Sequence, residues 1–402
     1  MARNKRAKVR TTVSSSADSS HQNMGSVRKS VIFLCVVALI YAAYLVISGQ
    51  WGEFIESLRT LNNTWVVLAM GAYVVYFFFG VLAYVLAVID DPKSPVGIRD
   101  LMSVEATGIF FSNLTPNGTG GAPAQIFRLS RTGLSMGGAG ALQYTRFIVY
   151  EAGEGIFAAL MLIFRGGYFV ETYGNVFLIG AALFGFKIVE VIALLAICLA
   201  PRLVMRLGNA VLRLVKRFAP NKDLSKYRSF LDTQVLEFSR GFSHAARDWR
   251  RMLATLVVTL IQLGWQFSLP WFVLKAFGIE ADFLTCLACG SMIELLTSAV
   301  PLPGGTGGAE GGFAFLFAPM FGSEVAAGFV VWRMVQYFLP VLASALVMGL
   351  RSDSGVSINT RWRRVRTRFQ SFWTSIKRKK RISPNGARIN PHRLRHKKRS
   401  RR

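Results

Sequence analysis

Six apolar stretches, at 31–47, 65–89, 139–164, 176–200, 252–277 and 325–350, constrain this chain more than any other feature. A hydrocarbon layer about 30 Å thick takes about 20 helical residues to cross, and shorter stretches are accommodated. The expected fold is therefore an all-α polytopic membrane protein with six spanning helices. Composition agrees, because 52% of the 402 residues are hydrophobic and only 17% are charged. The charge is segregated: residues 1–30 carry seven Lys/Arg against one acid, and residues 351–402 carry nineteen against one, so most of the net +27 sits in the tails. An ordinary soluble or disordered chain does not have this pattern.

The Lys/Arg bias sets the expected orientation. Both tails and the insert at 201–251, with twelve Lys/Arg against four acids, read as cytoplasmic, and an even number of crossings follows. The connections at 48–64, 165–175 and 278–282 fit the outside, whereas Asp90 and Asp91 form a slightly acidic cytoplasmic turn. The stretch at 31–47 lies behind a basic, Ser-rich leader and precedes no small-x-small cleavage site, so it reads as a retained signal anchor. Four cysteines, Cys35, Cys198, Cys286 and Cys289, all lie in apolar segments, and the four histidines lie outside them. The Cys286/Cys289 spacing is read as a pair of buried small residues and not a metal or redox site, and no cofactor is expected.

Two further apolar segments, 98–114 and 283–300, run straight into Gly/Pro-rich stretches and read as re-entrant half-helices. Those stretches are copies: residues 116–122 (PNGTGGA) match 303–309 (PGGTGGA) in six of seven positions at an offset of 187. The same offset pairs Arg146 with Arg333 and Tyr150 with Tyr337. The duplication divides the core (31–350) into repeat one (31–164) and repeat two (176–350), the latter with an amphipathic insert at 201–251. The first glycine stretch is followed by Arg128 and Arg131 and the second by Glu310 and Glu324, so the repeats are expected to be inverted. Inverted repeats with broken helices characterise many alternating-access transporters.

The chemistry expected at the breaks is anion binding. Amides of Gly118, Thr119, Gly120, Gly121, Gly305, Thr306, Gly307 and Gly308 can converge on a phosphate where glycine frees the backbone, and a tight turn for close helix packing is the competing reading. Neither copy has the Lys-Ser/Thr ending of a nucleotide loop. Arg146 and Arg333 lie within spans, where a guanidinium needs a partner or a cavity, and the fork suits a lipid phosphate. Glu105, Glu151, Glu154 and Glu294 are candidate partners or coupling groups. Tyr150 shares a helix face with Arg146, as Tyr337 does with Arg333. Lys187 and Glu190 read as a structural pair. The segment 222–250 fits either an interfacial helix or one packed on the base of the bundle. The polybasic end reads as a tail on anionic lipid in preference to nucleic acid.

At the two glycine stretches the sequence resembles the flippase-like transmembrane domain of lysylphosphatidylglycerol synthases. Residues 111–123 (FSNLTPNGTGGAP) and 300–310 (VPLPGGTGGAE) carry the likeness, which extends over about 31–350. The resemblance implies a bundle that moves lipid headgroups between leaflets of a bacterial or archaeal plasma membrane. By motif it points to Asn113, Pro116, Gly120, Gly121, Pro123, Pro303, Gly304, Gly305 and Glu310, the prolines and Glu310 shaping the breaks. Only 52 residues follow Leu350, so on this reading a separate enzyme makes any aminoacylated cargo. The cargo classes are anionic, aminoacylated and polyprenyl-phosphate lipids. A membrane-embedded transferase using Glu151, Glu154 or Glu294, and a small-anion transporter, remain the alternatives.

Overall fold

The computed structural model describes residues 61–89, 94–116, 118–174, 177–200, 225–298 and 307–352, with a few isolated positions besides, Gly305 among them. The helices are α1 (Asn63–Val88), α2 (Ile98–Leu114), α3 (Gly121–Ser130), α4 (Met136–Tyr173), α5 (Phe177–Leu199), α6 (Ser225–Arg247), α7 (Trp249–Phe267), α8 (Leu269–Ala276), α9 (Phe283–Ser298), α10 (Gly308–Phe321), α11 (Val325–Arg333) and α12 (Leu339–Val347). Their starts follow the usual chemistry: Asn62, Ser135 and Asp248 each accept a backbone N–H from the first turn of α1, α4 and α7, satisfying donors that a helix start leaves open.

Among the described residues, four helical units and not six are long and apolar enough to cross a membrane: Asn63–Val88, Met136–Tyr173, Trp249–Ala276 and Gly308–Val347. The stretch at 31–47 lies outside the described residues. The fifth, α5, is a 23-residue helix whose middle carries Lys187 and Glu190, and it is not among the four. The re-entrant reading is also corrected, since no re-entrant hairpin is identified among the described residues. In place of a hairpin, the second glycine stretch opens α10, which continues through α11 and α12 as one 40-residue crossing unit. The first is a compact turn closed by its own hydrogen bonds, leading into the ten-residue α3. The inverted arrangement followed from a six-crossing topology with which the hairpins agreed, and among the described residues neither the six crossings nor the hairpins are found, so no inversion is shown. Glycine enrichment marks a turn, and a turn alone does not say where the chain goes next.

Two of the crossing units are broken by proline. Pro270 starts α8 inside Trp249–Ala276. Pro340 removes the N–H that would bond to Gln336 and crowds that carbonyl, and the helix widens into a π turn over Met334–Phe338, where the Leu339 N–H bonds to the Met334 carbonyl. The turn follows directly on Arg333 and contains Tyr337.

Packing relies on small residues, as expected where lipid supplies no hydrophobic drive between helices. A Cβ on Gly290 of α9 would lie 2.7 Å from the Phe267 carbonyl oxygen of α7. Gly290→Ala is thus expected to destabilise by about 1–3 kcal/mol, read as a lower melting midpoint in detergent. Gly155→Ala, where a Cβ meets nothing within 4 Å, is its neutral control. The apolar core joins Phe267, Phe313, Phe317, Phe321 and Trp332, whereas Phe78, Ile163 and Leu346 are exposed, as a lipid-facing surface requires.

The amphipathic helix α6 packs on the bundle and does not lie apart from it. Its Gln234 side chain accepts the Gly137 N–H at 2.6 Å, Phe238 packs edge-on against Tyr144, and Phe242 is buried. The small residues Gly137, Gly140 and Ala141 at the start of α4 admit this approach. On α3, Arg128 Nε donates to Ser103 Oγ at 2.7 Å and its Nη2 to the Leu350 carbonyl, which ties the end of the last helix to α2. Asp100 and Ser352 exchange hydrogen bonds beside it.

At the start of α9, Asp282 accepts from the Thr285 backbone and hydroxyl and pairs with Arg165 of α4 at 2.5 Å. Slight burial works to raise its carboxyl, but the Thr285 hydrogen bonds and Arg165 outweigh it, and the group sits below the usual aspartate range. A depressed folded value means that its stabilisation is complete above the unfolded value of about 3.9 and is lost as pH falls through the folded one. Asp282→Asn is expected to lower the melting midpoint at pH 6 and to converge on wild type as pH falls through the folded value, which a pH series of melts checks.

Candidate functional site

The site lies where α1, α2, α4, α7 and α9 meet. Arg146 and Tyr150 stand one turn apart on α4, and Gln262 and Gln266 one turn apart on α7, so two rungs form between the helices. In one, Arg146 Nη2 donates to Gln262 Oε1 at 2.6 Å, and Gln262 Nε2 faces Glu105 Oε1 of α2 at 3.4 Å. In the other, the Tyr150 hydroxyl donates to Gln266 Oε1 at 3.2 Å, and Gln266 Nε2 faces Glu294 Oε2 of α9 at 3.4 Å. Tyr76 of α1 joins the second rung through its hydroxyl, 3.4 Å from that of Tyr150. A third set of amides flanks the first rung: Tyr84 donates to Gln143 Oε1, and Gln143 Nε2 donates to Gln125 Oε1 at 2.5 Å.

Two glycines make room for these side chains. A Cβ on Gly80 of α1 would overlap the Glu105 carboxylate and come within 2.7 Å of Gln262 Nε2, and one on Gly108 of α2 would overlap the Gln125 amide. The carboxylate is thus seated against bare backbone.

Arg146 is the outlier in this arrangement. It is 5% exposed, and Nε and Nη1 have no hydrogen-bond partner. Its guanidinium carbon lies 5.2 Å from the Tyr150 ring centre and 5.9 Å from that of Tyr84. Aromatic faces attract a cation but leave N–H donors unmatched, and a buried donor without an acceptor costs about 1–3 kcal/mol. The other buried cations are matched. Lys187 of α5 pairs with Glu151, with Glu154 at 3.0 Å and with Glu190 at 3.5 Å. Arg333 pairs with Glu310 at 3.1 Å and lies against Phe329, Trp332 and Tyr337.

The remaining sequence-derived residues fall as follows. In the first glycine stretch every amide from Gly118 to Gly121 is donated locally: Gly118 to the Thr115 carbonyl, Thr119 to Pro116, Gly120 to Thr115 Oγ1 and Gly121 to Gly118. They do not converge on an outside point. Gly118 has a φ of +66° and Gly305 of +62°, so both occupy turns that other residues resist. Glu310 accepts the Gly307 N–H and caps α10. Asn113 side chain donates to Ile109, and its carbonyl accepts the Tyr337 hydroxyl at 3.0 Å, linking the first stretch to the π turn. Pro116 and Pro123 are exposed. Pro303, Gly304 and Thr306 lie outside the described residues.

Residues 31–344 match the family model described as the lysylphosphatidylglycerol synthase TM region. The chain belongs to that family. The match is to a membrane region. A family relative by sequence, described as a UPF0104 membrane protein from Archaeoglobus fulgidus, is 24% identical over 248 residues, covering 61% of this chain and 74% of the relative. Membership together with four crossing-length units makes this chain a multi-pass, all-helical membrane protein of the TM-region family. Among the described residues no cluster of three or more His, Cys, Asp or Glu is placed to hold a metal ion.

Sequence reasoning missed Gln262, Gln266, Gln143 and Gln125. Charge counting passes over neutral amides, although two glutamines one turn apart in an apolar span are a readable signal, since each must find a partner in the membrane.

Proposed function

We propose that this protein is a flippase-like transporter in which Arg146 receives the phosphate of a lipid headgroup as it moves between leaflets. The observation that carries the reading is a buried guanidinium with two donors unmatched, flanked by aromatic faces and amides. A phosphate supplies oxygen acceptors for the nitrogens left unmatched at Nε and Nη1. The lipid tails remain in the bilayer, against the apolar outer surface. Cargo is an anionic, aminoacylated or polyprenyl-phosphate lipid. The compartment is a bacterial or archaeal plasma membrane, a reading that the archaeal relative supports. Arg333, held by Glu310, and the locally bonded amides of the first glycine stretch take a secondary part.

Proteoliposomes carrying labelled phosphatidylglycerol, aminoacylated phosphatidylglycerol or a polyprenyl phosphate test this directly. Movement of one phosphate-bearing class, absent from protein-free liposomes, is the expected result. The same guanidinium suits a small soluble anion, and that observation sustains one rival. Uptake of such an anion with no lipid movement of any class selects the rival.

A further inference from the structure

The first rung places a carboxylate and a guanidinium on the two ends of one glutamine. Arg146 donates to Gln262 Oε1, Gln262 Nε2 faces Glu105, and no cation pairs directly with Glu105 among the described residues. Both groups are buried, at 5% and 7% exposed. With no anion bound, the two charges offset each other across the amide. An anion at the unmatched donors would leave two negative charges sharing one positive charge in a low-dielectric interior. Where two anions compete for one cation, the one able to protonate does so. A phosphodiester stays ionised near neutral pH, so the proton goes to the carboxylate. We infer that Glu105 is a proton-binding site coupled to occupancy of the Arg146 anion site, so that one proton enters with each phosphate; this rests on the anion-site reading above.

The surroundings leave Glu105 as the group that changes charge. From α1 it faces Tyr73, Tyr76 and Tyr84, from α4 Arg146, and from α7 the neutral Gln262. Helix α12 brings no titratable side chain. Arg128 of α3 is engaged at Ser103, two positions from Glu105 and so on the far side of α2. The acids Glu151 and Glu154 are held by Lys187, and Glu294 lies on the second rung with Gln266. The carboxylate is seated against the bare backbone of Gly80. The step is a proton transfer from hydronium or a buffer acid to a Glu105 oxygen: one donor–H bond breaks, one carboxyl O–H bond forms, and the donor is released as water or as its conjugate base.

Calorimetry of the full-length protein in detergent tests the coupling, with dihexanoyl-phosphatidylglycerol as the lipid probe and its deacylated phosphodiester, glycerophosphoglycerol, as the soluble arm. Runs at one neutral pH in buffers of different ionisation enthalpy give the protons taken up per anion bound. Expected is an uptake of about one proton per anion, falling to near zero in Glu105→Gln. Binding of the lipid probe alone assigns the anion to a headgroup, and equal binding of both probes assigns it to a free phosphodiester. Anion binding with no proton uptake, or uptake unchanged in Glu105→Gln, overturns the coupling and leaves the anion site standing. No binding of either probe to wild type overturns the anion site itself, and the coupling with it. Because Glu105→Gln alone could fail to fold, infrared difference spectra of wild type with and without the probe supply a second readout. A protonated-carboxyl band that appears on binding is expected, and its absence contradicts the coupling.

Discussion

Arg146→Lys is expected to slow headgroup translocation by at least about thirtyfold, even though it keeps the charge. Breaking a buried, hydrogen-bonded charge contact costs about 2–5 kcal/mol, and 1.4 kcal/mol is a factor of ten. Lysine offers a point charge on a flexible stem and cannot present two parallel donors to a phosphate while holding Gln262. Arg146→Ala is expected to be at least as slow. Arg165→Lys is the contrast, since its salt bridge with Asp282 is partly solvent-exposed and such pairs contribute about 0–1 kcal/mol; its translocation should stay within about threefold of wild type. Rates normalised to reconstituted protein check both. Equal rates for Arg146→Lys and wild type would remove Arg146 from the transport path.

Lys187→Met is expected to give the largest loss of stability. The ammonium is buried between Glu151 and Glu154, both themselves buried, with Glu190 at the rim. Removing it leaves two neighbouring carboxylates without compensation, at a cost of about 3–5 kcal/mol. For a chain of 402 residues that corresponds to a drop of about 4–6 °C in the melting midpoint. The triple change Lys187→Met/Glu151→Gln/Glu154→Gln removes the acids' charge along with the lysine's and should recover most of it. Melts in detergent at one scan rate decide the matter: a single variant as stable as wild type, or a triple variant no better than the single one, would contradict a charge-locked role for Lys187.

What could be read in the sequence, and what could not, divides along physical lines. The apolar stretches at 65–89, 139–164 and 252–277 each overlap a crossing unit, because hydropathy reports what lipid requires of a helix. The turn of helix shared by Arg146 and Tyr150 was legible for the same reason, since helical spacing is fixed by geometry. The path after each glycine stretch was not. Gly118 to Gly121 donate to acceptors within their own turn, and the crossing unit that α10 opens runs on past Pro319 to Val347, outcomes that depend on hydrogen bonds and packing and not on composition. Partner choice was equally hidden. Glu310 takes Arg333, and Lys187 takes two acids from another helix as well as its own neighbour Glu190. The glutamine bridges could be sought in sequence as paired amides within spans, but the acids at their far ends come from α2 and α9, which only the fold brings near.

The most direct test of the anion site is a dipolar contact between guanidinium nitrogen and lipid phosphorus. Protein labelled with ¹⁵N at arginine is reconstituted in phosphatidylglycerol bilayers, and ¹⁵N–³¹P dephasing is compared between wild type and Arg146→Lys. The account predicts a component in wild type, at the short range of a charge-assisted hydrogen bond, that is missing from the variant above the shared background of the other arginines. Identical dephasing in the two proteins would contradict it.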